Sequence, residues 1–139
     1  MAALPPIRVR VYNQATDLSF VLDSWKLSHH DTTLVRSIPW ESYRVDIVPR
    51  MKRVLACADV LVATWSEDDQ ELCGWVAFTA SALYWLYVKA AFRRFGIGSH
   101  LLDCATGGTR SGRCALWSQA ATRWPGLVYH PKLLEEKIL

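Results

Sequence analysis

No stretch of this sequence is long and apolar enough to span a bilayer, and the N-terminus lacks the apolar run of a signal peptide, so the expectation is a cytoplasmic protein without a membrane partner. The four cysteines, at 57, 73, 104 and 114, include no Cys-x-x-Cys pair and have no histidine at metal-ligand spacing. They read as reduced thiols, and no metal is expected. Repeats, linkers and low-complexity tracts are missing too, which makes residues 1–139 one domain. Charge of one sign is scarce: 16 Lys and Arg against 13 Asp and Glu give a net charge of +3. The basic residues fall in three short clusters, Arg50/Lys52/Arg53, Lys89/Arg93/Arg94 and Arg110/Arg113. None is long enough, or interleaved with enough aromatic residues, to argue nucleic-acid binding.

What the chain has in excess is apolar and aromatic surface. Hydrophobic residues make up 51% of it, enough for a sizeable core, and seven are Trp, some of them expected to line a cleft. Ile7 to Tyr12 alternates as a strand. Thr16 or Asp17 caps a helix with Leu18, Val21, Leu22 and Trp25 on one face. A second helix starts near Pro39-Trp40-Glu41, and Pro49 should kink or split it. Val60–Trp65 and Glu71–Phe78 form a hairpin around the acidic turn 66–70, and Ala82–Val88, apolar on both faces, is a central strand. A helix follows Gly98 and ends at Gly107-Gly108. Arg113–Ser118 is a fifth strand and 119–124 a short helical turn; the segment from Leu127 onward is open.

The most informative stretch is Leu86 to Leu102. An apolar strand runs into a basic turn, Lys89 to Arg94, then Gly96-Ile97-Gly98, then an amphipathic helix opening. Glycines let backbone approach a ligand, successive N–H groups point into the turn, and the helix N-terminus adds partial positive charge. Phosphate is the natural guest. No Gly-Lys-Ser/Thr follows, which excludes a Walker loop, and Leu101 stands where a dinucleotide turn needs its third glycine.

Arg93-x-x-Gly96-x-Gly98 after Leu86-Tyr87-Val88 resembles the acetyl-CoA signature of the GCN5-related N-acetyltransferases, Arg/Gln-x-x-Gly-x-Gly/Ala after a Leu-x-Val-like strand end. The order of elements matches that family through about residue 119. The resemblance implies an α/β fold with a mixed, splayed central sheet flanked by helices, and here a shortened C-terminal part. It implies acetyl-CoA as cofactor, held by Leu86, Tyr87 and Val88 on the strand and by Arg93, Arg94, Phe95, Gly96, Ile97, Gly98 and Ser99 in the turn. Backbone groups around Tyr87, Val88 and Lys89 would pair with the pantetheine arm. The ending Leu127 to Leu134 also looks like short acetyltransferase-like proteins of tailed phages.

Direct acetyl transfer to a primary amine needs a base for the amine and an acid for the departing thiolate. The family's acid is often a Tyr on the fourth helix, and none lies there; Tyr129 is the nearest substitute, with Tyr84 and Tyr87 reading as packing residues. The family fixes no base. His29, His30, Asp31 and Glu41, in the loop that walls the acceptor site, are candidates, as are His130 and water; His100 reads as an exposed helix residue. The acceptor amine is of unknown size: a small molecule, a protein or a modified base. The alternative is a non-catalytic acyl-CoA-binding or protein-interaction module on the same fold. With 13 residues after Gly126, a closing hairpin has little chain to form, and an open sheet edge covered by a second copy, hence a homodimer, is expected.

Overall fold

The computed structural model of the chain describes residues 6–32, 35–115, 124–130 and 133–135. In chain order the elements are β1 (Ile7–Val11), α1 (Gln14–His30), α2 (Trp40–Cys57), β2 (Asp59–Trp65), β3 (Asp68–Thr79), β4 (Ala82–Val88), α3 (Ile97–Thr106), β5 (Gly112–Cys114) and β6 (Leu127–Tyr129). Single 3-10 turns occupy Ala90–Phe92 and Leu133–Glu135. The six strands form one sheet in the order β1-β2-β3-β4-β5-β6. The first four pair antiparallel; β5 joins β4, and β6 joins β5, in parallel. This is the mixed α/β sheet expected, and no closing hairpin follows β5 among the described residues.

Alternation along the strands sends one set of side chains to α1 and the other to α3. Trp75 on β3 and Trp85 on β4 face α1, where Ser24 Oγ accepts the Trp75 indole N–H at 2.8 Å and Ser28 Oγ accepts that of Trp85 at 3.0 Å. The two serines are four residues apart, so they rise along one helix face to meet neighbouring strands. Each hydroxyl donates back into the helix, Ser24 to Phe20 O and Ser28 to Ser24 O, so neither of these two hydroxyl hydrogens is stranded. Trp25, Trp75, Met51, Ile97, Leu101 and Leu102 are fully buried and fill the two layers. Burying an aromatic or aliphatic side chain of this size contributes about 1.5–3 kcal/mol.

Several local expectations change. Asn13, not Thr16 or Asp17, caps α1, its side chain accepting from the Ala15 N–H. Asp17 is instead buried one turn in, taking the Asn13 N–H at 2.8 Å and a two-pronged Arg10 contact at 2.7 and 2.9 Å. Burial alone would raise its carboxyl, but those hydrogen bonds and the Arg10 charge outweigh it and hold it below the usual carboxylate range. Helix α2 runs unsplit through Pro49. The hairpin turn is only Ser66-Glu67, and β3 starts at Asp68. Strand β5 covers 112–114 and stops before Ala115; residues 116–118 of the expected strand, and the helical turn expected after it up to residue 123, lie outside the described residues. Gly107 closes α3 in the left-handed conformation, as its position predicts.

Candidate active site

The site is set by what β4 leaves unpaired. Strand β5 meets it only at Ala82 and Leu83, so among the described residues Trp85 to Val88 have a strand neighbour on the β3 side alone. A bulge separates the Leu83 and Trp85 pairings with β3. The Lys89 N–H donates to Cys73 O at 2.8 Å, which fixes the phase of the ladder. Tyr87 therefore turns its backbone groups to β3 as well, and Leu86 and Val88 turn theirs outward into the gap. The outward pair is Leu86 and Val88, which corrects the expectation for the Tyr87 and Lys89 backbone; the Tyr87 ring meets Phe20 of α1 at 6.2 Å.

Beyond Val88 the chain makes the 3-10 turn and then two left-handed residues, Arg94 at φ 73° and Gly96 at φ 79°. Glycine takes that conformation without strain, whereas Arg94 bears roughly 1–2 kcal/mol of it. Such strain in a non-glycine residue clusters at ligand-binding turns. Gly96 is the N-cap of α3 and supplies no side-chain cap. The first helical bond runs from His100 N–H to Gly96 O, which leaves the N–H groups of Ile97, Gly98 and Ser99 without a helical acceptor. They point out of the helix end beside the outward edge of β4, with open space around Gly96, where an added Cβ would meet nothing within 4 Å. Gly98 has a different reason. A Cβ there would make ordinary contacts with Leu86 Cδ2 at 3.6 Å and Val88 Cγ2 at 3.7 Å, so this position faces the β4 side chains and has room for a methyl group but for little more. Arg93, Arg94 and Phe95 are exposed, and the Arg93 Nε–H donates to Val88 O at 3.0 Å.

The residues between α1 and α2 are less open than expected. The rings of His29, His30, Trp40 and Tyr43 cluster with centroids 4.6–5.7 Å apart, His29 stacked on Tyr43 and the other pairs tilted or edge-on, and His29 meets the Trp85 ring edge-on. His29 Nδ1 lies 2.6 Å from the Tyr43 hydroxyl, and burial, with the neighbouring His30, lowers its pKa to about 4. Burial likewise pushes the Tyr43 phenol well above its ordinary value. His30 Nε2 lies 2.7 Å from Ile38 O, so that nitrogen bears the hydrogen and Nδ1 is left as the acceptor. Glu41 is tied to Arg44 at 2.8 Å on the surface, and Asp31 is exposed at the end of α1. Tyr129 stands apart on β6, two strands from β4, in the row Phe78–Leu83–Cys114–Tyr129. Its hydroxyl is raised, by burial first and by the Cys114 charge second. His130 follows it, donating its N–H to Cys114 O, and His100 sits on α3 with Nε2 3.9 Å from Cys104 Sγ. Beyond the high count of tryptophans, nothing in the sequence pointed to Ser28, Tyr43 and Trp85 as the frame of this group.

A depression of about 250 Å³ lies at the opposite end of the sheet, lined by Val11, Tyr12, Ala58, Asp59, Val60, Leu61 and Phe78. Its lining includes no residue of the glycine turn. No group of three metal-ligating side chains occurs among the described residues, and no described helix is long and apolar enough to cross a membrane.

A six-stranded mixed sheet carries a glycine turn at the end of its central strand, ahead of α3. No protein-family model matches the sequence, and no curated protein matches it. Among solved structures the chain has the fold of the GCN5-related N-acetyltransferases. It is similar to a Pyrococcus furiosus protein assigned as an acetyl transferase, with TM-score 0.56 and 17% identity over 88% of this chain and 82% of that one. It is similar to a GCN5-related N-acetyltransferase from Rhodopseudomonas palustris, with TM-score 0.53 and 18% identity over 75% of this chain and 64% of that one. A third likeness is the GCN5-related glucosamine N-acetyltransferase region of a fungal multi-domain GH3 beta-N-acetylglucosaminidase, with TM-score 0.52 and 20% identity over 74% of this chain. The chain spans only 12% of that fungal protein.

Proposed function

We propose that the protein binds acetyl-CoA between β4 and the start of α3 and transfers its acetyl group to a primary amine in the cytoplasm. The observation that carries this reading is the set of three uncapped N–H groups, Ile97, Gly98 and Ser99, beside the outward backbone of Leu86 and Val88. Such donors at a helix N-terminus suit a pyrophosphate, and an unpaired strand edge suits a ligand with amides in series. In this reading the turn from Arg94 to Ser99 holds the phosphates, and Leu86 and Val88 pair with the pantetheine arm. One outward N–H there polarises the thioester carbonyl, an oxyanion-type contribution.

His30 is the better placed base. Its Nδ1 keeps a lone pair while Ile38 O fixes the other nitrogen, whereas His29, with its pKa near 4, is a weak acceptor of protons at neutral pH. His30 takes the proton from the attacking amine as the N–C bond forms and the C–S bond breaks. Tyr129 is the proposed donor to the leaving thiolate, and Glu41 the charge that draws a cationic amine toward the loop. Release of free thiol from acetyl-CoA in the presence of an amine panel tests the reading; no release above the hydrolysis background with any amine would defeat it. The place of Tyr129, two strands from β4, favours a second reading in which the same cleft binds acyl-CoA without turnover. In that case CoA titrates the protein and no thiol appears.

A further inference from the structure

Strand β1 stops at Val11, beside Leu61, while β2 extends two residues past that pairing, to Val60 and Asp59. The corner left by the missing strand is the depression of about 250 Å³. Its floor follows from the register. Val11 pairs with Leu61 and Asp59 with Phe78, and residues two apart on a strand share a face, so these four side chains stand on one face of the sheet. On that face Val76 is fully buried, Leu61 and Phe78 are half-buried, and Val11 is 74% exposed, so the apolar floor lies open toward the corner. Two features make the corner negative. Among the described residues the exposed Asp59 carboxylate has neither an ion pair nor a hydrogen-bond partner. Helix α2 also ends here, its C-cap Ala58 lining the depression, and its last turn holds no basic residue to offset the negative end of the helix. Arg10, next to Val11, is held by Asp17, and Arg53, a turn back on α2, donates to Leu134 O.

We infer that this corner is a second binding site, for a small organic cation: an ammonium whose charge meets Asp59 and whose apolar body lies on Val11, Leu61 and Phe78. Carboxylate and apolar floor together select a guest that carries both a positive charge and hydrocarbon, and the aromatic ring of Phe78 attracts an alkylated nitrogen further. The volume lies below the about 300–1,000 Å³ of pockets for drug-sized ligands, which keeps the guest small. An anion meets repulsion from Asp59 and from the end of α2. A hard metal ion finds one carboxylate where it needs about six oxygen ligands. The site shares no lining residue with the glycine turn, so it stands independently of acetyl-CoA binding there.

The test follows the backbone amide resonances of the labelled protein at low salt against three probes. These are benzyltrimethylammonium, which has no N–H and so is no acetyl acceptor, the neutral benzyl alcohol and the anion phenylacetate. The cation should move the amides of Tyr12, Asp59, Val60 and Leu61 to saturation, and the other two probes should bind about 3-fold or more weakly. Asp59→Asn, at an exposed position, should keep the wild-type melting temperature and bind the cation roughly 2- to 5-fold more weakly, the size of one exposed charge contact. Val11→Lys places the protein's own ammonium in the corner and should abolish the saturable shifts. Benzyl alcohol or phenylacetate binding as tightly as the cation, unchanged affinity in Asp59→Asn or in Val11→Lys, or no saturable shift in the wild-type protein would overturn the inference.

Discussion

His29 shows at residue scale how packing decides chemistry. As a histidine in a polar stretch it offers itself as a base, but between Tyr43 and Trp85 it is kept neutral by burial. Its folded pKa, about 4, lies below the unfolded value near 6.5. Between those two pH values the unfolded chain binds the proton and the folded one does not, so stability falls as pH drops through that window. The full loss is on the order of 3 kcal/mol. Melting temperature followed from pH 7 to 4 should decline, and His29→Phe should flatten the decline; a parallel decline in both proteins would contradict it. The lowered carboxyl of Asp17 adds a separate loss at still lower pH, below its ordinary value of 3.8. Gly98 gives a second residue-scale test. An Ala there finds ordinary contacts, so Gly98→Ala should fold and bind CoA nearly as wild type, whereas Gly98→Val forces α3 from β4 and should weaken CoA about tenfold or more by titration.

Among the elements, the seams that hold the site are the serine pair of α1 and the alternation of β4. Ser24→Ala would strand the fully buried Trp75 indole N–H and should cost about 1–3 kcal/mol in denaturant unfolding, more than Ser28→Ala beneath the half-open His29 group. An equal small effect for both would contradict that ranking. Much at this scale was legible in the sequence. The apolar run of β4 and the glycine turn after it located the central strand, the α3 start and its uncapped N-terminus, because period and glycine position are local properties. The phase of β4 was not legible. Whether Tyr87 or Val88 turns its amide outward depends on pairing with Cys73, Gly74 and Trp75 of β3 and on a bulge, which are properties of two strands together. For the same reason the capping role of Asn13 was missed, since Arg10 and the α1 start had first to draw Asp17 inward.

For the molecule as a whole the notable substitution is at the C-terminal end. A three-residue strand, β6, and the turn Leu133–Glu135 stand where the family resemblance led one to expect more. Leu133 and Leu134 are buried against the core, and Arg53 Nη2 on α2 donates to Leu134 O at 2.6 Å. This turn is a plug, so Leu133→Ala should lower stability by about 2–5 kcal/mol in urea unfolding; no change would show that the plug is dispensable. The expected cover of the open edge beyond β6 by a second copy is a matter for solution measurement. Light scattering at high concentration should then give a dimer, and a monomer would count against it.

The site itself is tested most directly by the backbone amide resonances of the labelled protein during a CoA titration. The amides of Leu86, Val88, Ile97, Gly98 and Ser99 should move first and saturate together, since those N–H groups are the ones that β3 and α3 leave unpaired. If they stay in place at millimolar CoA, or if the shifts gather instead around Tyr12, Asp59 and Phe78, the placement of the cofactor between β4 and α3 is contradicted.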